Sequence, residues 1–217
     1  MLHGRRVVIV AGGEIQATDL KQIDPKHDWI IAADGGAANL IQYKIWPNLL
    51  VGDMDTLQKE ELEIYIQRDM DMDRLPVEKD VTDTHYACEK ALQYQPKEVV
   101  LLGVWGGARI DHALANIGLL EWFVDRNIPA MIIAGSNRIR MLKGPTKVEL
   151  KKEHFHYLSL LPVSEKVTGI DTVGLKYTLK NDFLKRGLTR GMSNEWMDEQ
   201  AVIRIQQGKL LIIETSD

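Results

Sequence analysis

Asp53 and Asp55 stand two residues apart, directly after the apolar run Leu49, Leu50, Val51 and the flexible Gly52. In an extended chain residues i and i+2 project to one side, so both carboxylates could face one hard cation that takes oxygen ligands. A second cluster, Glu78 to Thr84, places Lys79, Asp80 and Asp83 ahead of a helical segment. Thr82 or Asp80 can cap that helix and Asp83 can complement its dipole, but capping does not require Lys79, Asp80 and Asp83 together. Arg109, Asp111 and His112 follow an apolar run and Gly106, Gly107, at the start of another helical segment. Backbone amides there can approach a phosphate, and an arginine can grip its oxygens through two parallel hydrogen bonds. Asp69, Asp71 and Asp73, interleaved with Met70 and Met72, read instead as a solvated connection after a helix.

These residues must be held by elements, and the chain is written in two styles. From Arg6 to about Lys143, short apolar runs alternate with segments of helical spacing, the pattern of a parallel sheet flanked by helices. The expected strands are Arg6 to Val10, Trp29 to Ala33, Leu49 to Val51, Val99 to Gly103 and Ala130 to Ala134. The expected helices are Ala37 to Gln42, Gln58 to Asp69, Thr84 to Gln93 and His112 to Arg126. Several strands end at glycine or aspartate, and open α/β sheets bind ligands at the carboxyl ends of their strands. After Gly144 and Pro145 the text turns β-branched and alternating: Val148 to Leu150, Phe155 to Leu161, Val167 to Ile170, Leu175 to Leu179 and Val202 to Ile213. Gln207 and Gly208 divide the last run into an expected hairpin. The fold class is therefore α/β, an N-terminal mostly parallel sheet with flanking helices (1–143), followed by a smaller all-β sandwich or barrel (144–217). A β domain of that size has a marginal core, which favours a homodimer.

Composition narrows the function classes. In 217 residues, 45% are apolar, and 27 basic against 31 acidic side chains give a net charge of -4. Such a chain has enough material for a core and repels a phosphate backbone, so nucleic acid is not an expected partner. The single cysteine, Cys88, excludes an intrachain disulfide framework and fits a reducing, cytoplasmic setting. Apolar runs such as Val7 to Ala11 and Val99 to Trp105 fall far short of the roughly 18 residues that span a bilayer, so no membrane role is expected. No G-x-G-x-x-G and no Walker-type loop is present, and the pairs Gly12, Gly13 and Gly35, Gly36 read individually as turn signals.

Taken in order, Ala-Asp-Gly-Gly-Ala at 33–37, Val-Gly-Asp-Met-Asp-Thr at 51–56, Lys-Asp-Val-Thr-Asp-Thr at 79–84 and Arg-Ile-Asp-His at 109–112 resemble the thiamine pyrophosphokinase family. The match continues with Gly-Leu-Lys-Tyr at 174–177, Asn181-Asp182 and Met192-Ser193-Asn194. The resemblance implies pyrophosphoryl transfer from ATP to the hydroxyethyl arm of thiamine, with Mg²⁺ as cofactor, AMP as the other product and a homodimer as the working form. It implies that Asp53, Asp55 and Asp83 hold the magnesium, that Asp34 and Arg109 lie near the nucleotide, and that Asp111, Ser193 and Asn194 lie near thiamine. Tyr177 would take the place of the family's aromatic residue, contributed by the opposing subunit. Gly35, Lys79, Asp80 and His112 lie in the same blocks and are further substrate-binding candidates. Ala108 stands where the family often has a glycine. Two other readings remain open at this point: a metal-dependent nucleotide-sugar or nucleotidyl transferase, and a non-catalytic nucleotide-binding dimer. The first leaves Tyr177, Ser193 and Asn194 without a role; in the second the β domain is only a dimerisation module.

Overall fold

A computed structural model describes residues 4–76, 80–106 and 108–216. The chain forms two compact units, one ending at Gly135 and the other beginning at Ser136. Composition placed the break at Lys143/Gly144. The division comes earlier because Asn137–Lys143 is an antiparallel strand that pairs along its length with Lys209–Thr215 in the second unit.

The first unit is a parallel sheet wrapped by helices. In chain order it contains β1 (Arg6–Val10), α1 (Ala17–Leu20), β2 (Trp29–Ala33), α2 (Gly36–Ile41), β3 (Leu49–Gly52) and α3 (Lys59–Gln67). It continues with β4 (Met72–Arg74), α4 (Asp83–Leu92), β5 (Glu98–Leu102), α5 (Ile110–Val124) and β6 (Ala130–Ala134). Its strand order is β6-β5-β1-β2-β3-β4, and each adjacent pair is parallel. Strands β1 and β5 are almost wholly buried, which explains why they read as continuous apolar runs rather than as alternation. Helix starts follow local chemistry. Thr82 accepts a hydrogen bond from the His85 amide at 3.2 Å to cap α4, and Gln58 and Glu61 form a reciprocal capping box on α3. Tyr65 of α3 is fully buried and donates its hydroxyl to the Ala37 carbonyl at 2.8 Å, tying α3 to α2.

The second unit is antiparallel throughout. It contains β7 (Asn137–Lys143), β8 (Thr146–Lys151), β9 (Tyr157–Pro162), β10 (Lys166–Val173), β11 (Asp182–Lys185), β12 (Asn194–Glu195), β13 (Gln200–Ile205) and β14 (Lys209–Thr215). One of its sheets runs β12-β9-β14-β7 and the other β11-β10-β13-β8. Leu158, Leu160, Leu210 and Ile212 from the first pack with Leu150, Val167, Ile170, Ile203 and Ile205 from the second. The expected sandwich is present, with its core between two sheets.

Several local expectations are corrected. Strands β13 and β14 do not form a hairpin with each other: β13 is flanked by β8 and β10, and β14 by β7 and β9. The turn at Gly208 carries the chain from one sheet to the other. The run 175–179 makes only an isolated bridge, Leu175 to Trp196, because single backbone bonds to β12 and β10 alternate with side-chain bonds from Asn194 and Thr172 instead of forming a continuous ladder. Asp73 is not in a solvated connection but on β4, which pairs with β3 at the sheet edge.

The first unit closes by backbone contact. A methyl group at Gly36 would lie 1.9 Å from the Val10 carbonyl oxygen, at the start of α2. Alanine has the better helix propensity by about 1 kcal/mol. A clash with backbone cannot be relieved by a rotamer change, and overpacking costs about 1–3 kcal/mol or more. Gly36→Ala is therefore expected to lower stability by about 2 kcal/mol, seen as a lower urea midpoint; an unchanged midpoint would show that the loop has room.

Candidate active site

From β1 the sheet grows one way through β2, β3 and β4, then the chain returns to lay β5 and β6 on the other side. Strands β1 and β5 thus flank the point where strand order reverses, where open α/β sheets carry their ligand crevice. A cavity of about 680 Å³ opens there, at the carboxyl ends of β1, β2 and β5. Its floor is backbone. The Gly13 amide donates to the Gly103 carbonyl at 2.8 Å, and Gly103, at φ +64°, lies where a methyl group would sit 2.4 Å from the Ala11 carbonyl oxygen. The two early glycine pairs, weak signals singly, both line this cavity or its wall.

Two asparagines that the sequence reading missed hold these loops. Asn39 of α2 donates Nδ2 to the Ala11 carbonyl at 3.0 Å and the Gly13 carbonyl at 3.1 Å. Asn116 of α5, nearly buried, donates Nδ2 to the Val104 carbonyl at 2.8 Å. The signal was an amide inside an apolar helical run, since a buried polar group needs a partner.

Asp34, Asp53 and Asp55 each bring one carboxylate oxygen within 4.8 Å of the others. The convergence of Asp53 and Asp55 does not come from extended chain. Met54 sits at φ +65° with its side chain buried, and the Asp55 amide donates to Asp53 Oδ1 at 3.2 Å, so a tight turn gathers the two. Asp34, itself at φ +47°, accepts from the Thr56 hydroxyl at 2.7 Å. The expected cation set named Asp83 rather than Asp34. Asp83, first residue of α4, stands beside the trio: a methyl group at Gly52 would lie 3.2 Å from its Oδ1 and 3.2 Å from Asp34 Cα. The Asp55 carboxyl is raised above the ordinary aspartate value, first by its hydrogen bond and charge interaction with Asp53, then by Asp34 and Asp83.

The remaining candidates divide. Gly35, Arg109 and His112 line the cavity. Arg109, N-cap of α5, makes a bidentate pair with Asp111 at 2.8 and 2.9 Å, fully in solvent, and this holds the Asp111 carboxyl well below the usual range. Asp80 is exposed and leaves the capping of α4 to Thr82. Lys79 and Gly107 lie outside the described residues. In the second unit Tyr177 is 60% exposed, whereas Asn194 is 6% exposed. The Asn194 amide is spent on the backbone of Tyr177, accepting its N–H at 2.9 Å and donating to its carbonyl at 2.8 Å, so Asn194 supports Tyr177 rather than presenting its own polar atoms. Ser193, at φ +53°, donates its amide to Ser159 Oγ at 2.9 Å.

A parallel sheet with glycine loops and carboxylates at its switch point, followed by an antiparallel sandwich, defines the class: a two-unit α/β protein with a ligand crevice at the switch point of its first sheet. The family model for the thiamin pyrophosphokinase catalytic domain matches residues 20–132, and that for the thiamin pyrophosphokinase vitamin B1 binding domain matches 146–210. The thiamine pyrophosphokinase of Bacillus subtilis is 32% identical over 215 residues, 98% of this chain and 100% of the relative. Its crystal structure superposes with a TM-score of 0.91 at 30% identity, covering 98% of this chain and 100% of that one. The thiamin pyrophosphokinase of Geobacillus thermodenitrificans follows at 0.87 and 30% identity, with 98% of each chain covered. The chain belongs to the thiamine pyrophosphokinase family, whose reaction converts thiamine and ATP to thiamine diphosphate and AMP.

Removing the Asn39 donor strands two loop carbonyls. Asn39→Ala is expected to cost about 1–3 kcal/mol of unfolding free energy in denaturant titration. Asn39→Asp, of the same shape but without donors, should cost at least as much; full stability of the aspartate variant would show that the loop does not depend on these bonds.

Proposed function

We propose that the cavity of the first unit binds ATP with its phosphates over the glycine loops, and that thiamine is held by the second unit. The transferred group is the β,γ-pyrophosphoryl unit: the thiamine hydroxyl oxygen bonds to the β-phosphorus, the bond to the α-phosphate oxygen breaks, and AMP leaves while the hydroxyl proton is released. Little covalent work falls to the protein in such a transfer, so its tasks are positioning and charge stabilisation.

The observation that carries this reading is the convergence of Asp34, Asp53 and Asp55 at the mouth of a glycine-floored cavity. Three oxygen donors whose mutual repulsion already raises one carboxyl suit Mg²⁺, with Asp83 beside them. When bound, the ion supplies charge neutralisation to the triphosphate. Arg109 exchanges its exposed partner Asp111 for phosphate oxygens, while Gly35 and His112 line the nucleotide space. Lys79 and Asp80 are substrate-binding candidates from the preceding loop. Tyr177 offers an aromatic face to the thiazolium, with Ser193 nearby in sequence and Asn194 holding the tyrosine backbone. A homodimer is supported by apolar side chains left in solvent, Ile110 at 71% and Leu114 at 59% on α5 and Met197 at 65% in the second unit. Among the described residues no helix is long and apolar enough to cross a membrane, and Cys88 is a buried free thiol; a cytoplasmic setting is our reading.

Incubation with ATP, Mg²⁺ and thiamine is expected to yield AMP and thiamine diphosphate. Asp55→Asn should lose most turnover, at least about 100-fold, with an unchanged circular dichroism spectrum. Full activity of that variant, or of the wild type in excess chelator, would remove the cluster from the reaction.

The two ligands should also separate by unit. Tyr177→Ala is expected to weaken thiamine binding by about 2 kcal/mol in calorimetric titration and leave an unreactive ATP analogue unaffected. Arg109→Ala should do the reverse. Equal weakening of both ligands by Tyr177→Ala would defeat this division.

A further inference from the structure

Asp73, Tyr86 and Lys90 meet away from the cavity lining, and nothing in the chemistry above uses them. The Tyr86 hydroxyl donates to Asp73 Oδ2 at 2.9 Å, and Lys90 Nζ lies 2.5 Å from the same oxygen. The ammonium also stands 5.1 Å from the centre of the Tyr86 ring, so the three groups contact one another pairwise. Lys90 holds the Asp73 carboxyl below its ordinary range, with Tyr86 adding, so Asp73 remains anionic.

The placement of this cluster matters more than its strength. Asp73 lies on β4 opposite Val51 of β3, and the next pair in register, Gly52 with Arg74, is where β3 leaves the sheet toward Asp53. Tyr86 and Lys90 lie three and seven residues after Asp83 on α4, one helical face with it. The cluster therefore joins the two ends of the connection that carries Asp80 and Thr82 and delivers Asp83. At that end the fit is close, since a methyl group at Gly52 would lie 3.2 Å from both Asp83 Oδ1 and Asp34 Cα. Side chains that are 23% and 30% exposed make a modest source of stability for an ion pair, but a firm one of geometry when a hydroxyl shares the acceptor.

We propose that Asp73, Tyr86 and Lys90 are positioning residues of the transfer reaction: they lock α4 to the sheet edge and so fix Asp83 against the carboxylates of the cation site. The proposal rests on the functional reading above. Its competitor is a purely stabilising role, with Lys90 also favoured as a cation in the last turn of a helix.

Lys90→Met and Asp73→Asn each break the charged contact, Lys90→Arg keeps the charge, and Tyr86→Phe removes only the hydroxyl. Mn²⁺ binding to the nucleotide-free protein is measured by electron paramagnetic resonance, alongside steady-state kinetics and thermal unfolding, all at a temperature where every variant is folded. Lys90→Met and Asp73→Asn are expected to weaken Mn²⁺ binding by about tenfold and lower kcat by a similar factor. The KM for thiamine should stay within about twofold of wild type, and Lys90→Arg should recover most of both losses. Tyr86→Phe, the variant least able to disturb folding, should show a smaller loss in the same direction. Wild-type Mn²⁺ affinity and kcat in Lys90→Met and Asp73→Asn, with or without a lower melting temperature, would overturn the clamp alone. Absence of Mn²⁺ binding and of pyrophosphoryl transfer in the wild type would overturn the cation-site reading, and the clamp with it.

Discussion

The cavity exists because the loops that leave β1, β2 and β5 approach one another more closely than side chains allow. Gly36 sits under the last carbonyl of β1, and Gly103 sits against the Ala11 carbonyl. Backbone in such contact must satisfy its own polar groups, and it does so at the strand ends and between loops: Ala11 N–H to Leu102 O of β5, Asp34 N–H to Val51 O of β3, and Gly13 N–H to Gly103 O. Where the loops run out of mutual partners, Asn39 and Asn116 reach in from α2 and α5. Backbone contacts and two asparagine amides thus fix these loops, and Asp34, at the end of β2, is brought toward the turn that follows β3.

That second turn carries the electrostatic burden. Like charges this close repel one another, weakly in water and several times more strongly in a drier site. Asp55 is fully exposed and Asp34 and Asp53 are only partly covered, so solvent limits the repulsion in the resting protein. The buried Met54 anchors the turn from beneath and lets the carboxylates stay wet while their positions stay fixed. In the proposed reading a cation entering this site would relieve repulsion already present, whereas a single buried carboxylate would have to wait for its partner.

Elements governed by local pattern were legible. Strands β1, β2, β5 and β6 begin and end within a residue of the apolar runs that announce them, and for β1, β2 and β5 burial on both faces leaves no ambiguity of register. What depends on distant partners was not. Gln207-Gly208 between two alternating runs reads as a hairpin, yet the edges of β13 and β14 are claimed by other strands. Asp73 looks like one more solvated acid until Lys90 and Tyr86 are brought to it from α4. The acidic site was half visible: Asp-x-Asp spacing found Asp53 and Asp55 but supplied the wrong local geometry, and Asp34 joins them only through the pairing of β2 with β3.

The second unit shows the same economy with different materials. Tyr177 lies in an irregular segment outside the named strands, where an exposed aromatic ring would ordinarily have a mobile backbone. Asn194, buried on a two-residue strand paired with β9, bonds both polar groups of the Tyr177 backbone, and Leu175 bridges Trp196 just before it. The ring is left in solvent while its attachment is held from both sides. A flat cationic ligand that stacks on such a ring need not bear the entropy of ordering the loop, since folding has already done so. In the proposed thiamine site a buried residue adjoining an exposed aromatic would serve recognition without offering the ligand an atom of its own, and substituting Asn194 and substituting Tyr177 would therefore remove different things: the first the fixed placement of the face, the second the face itself.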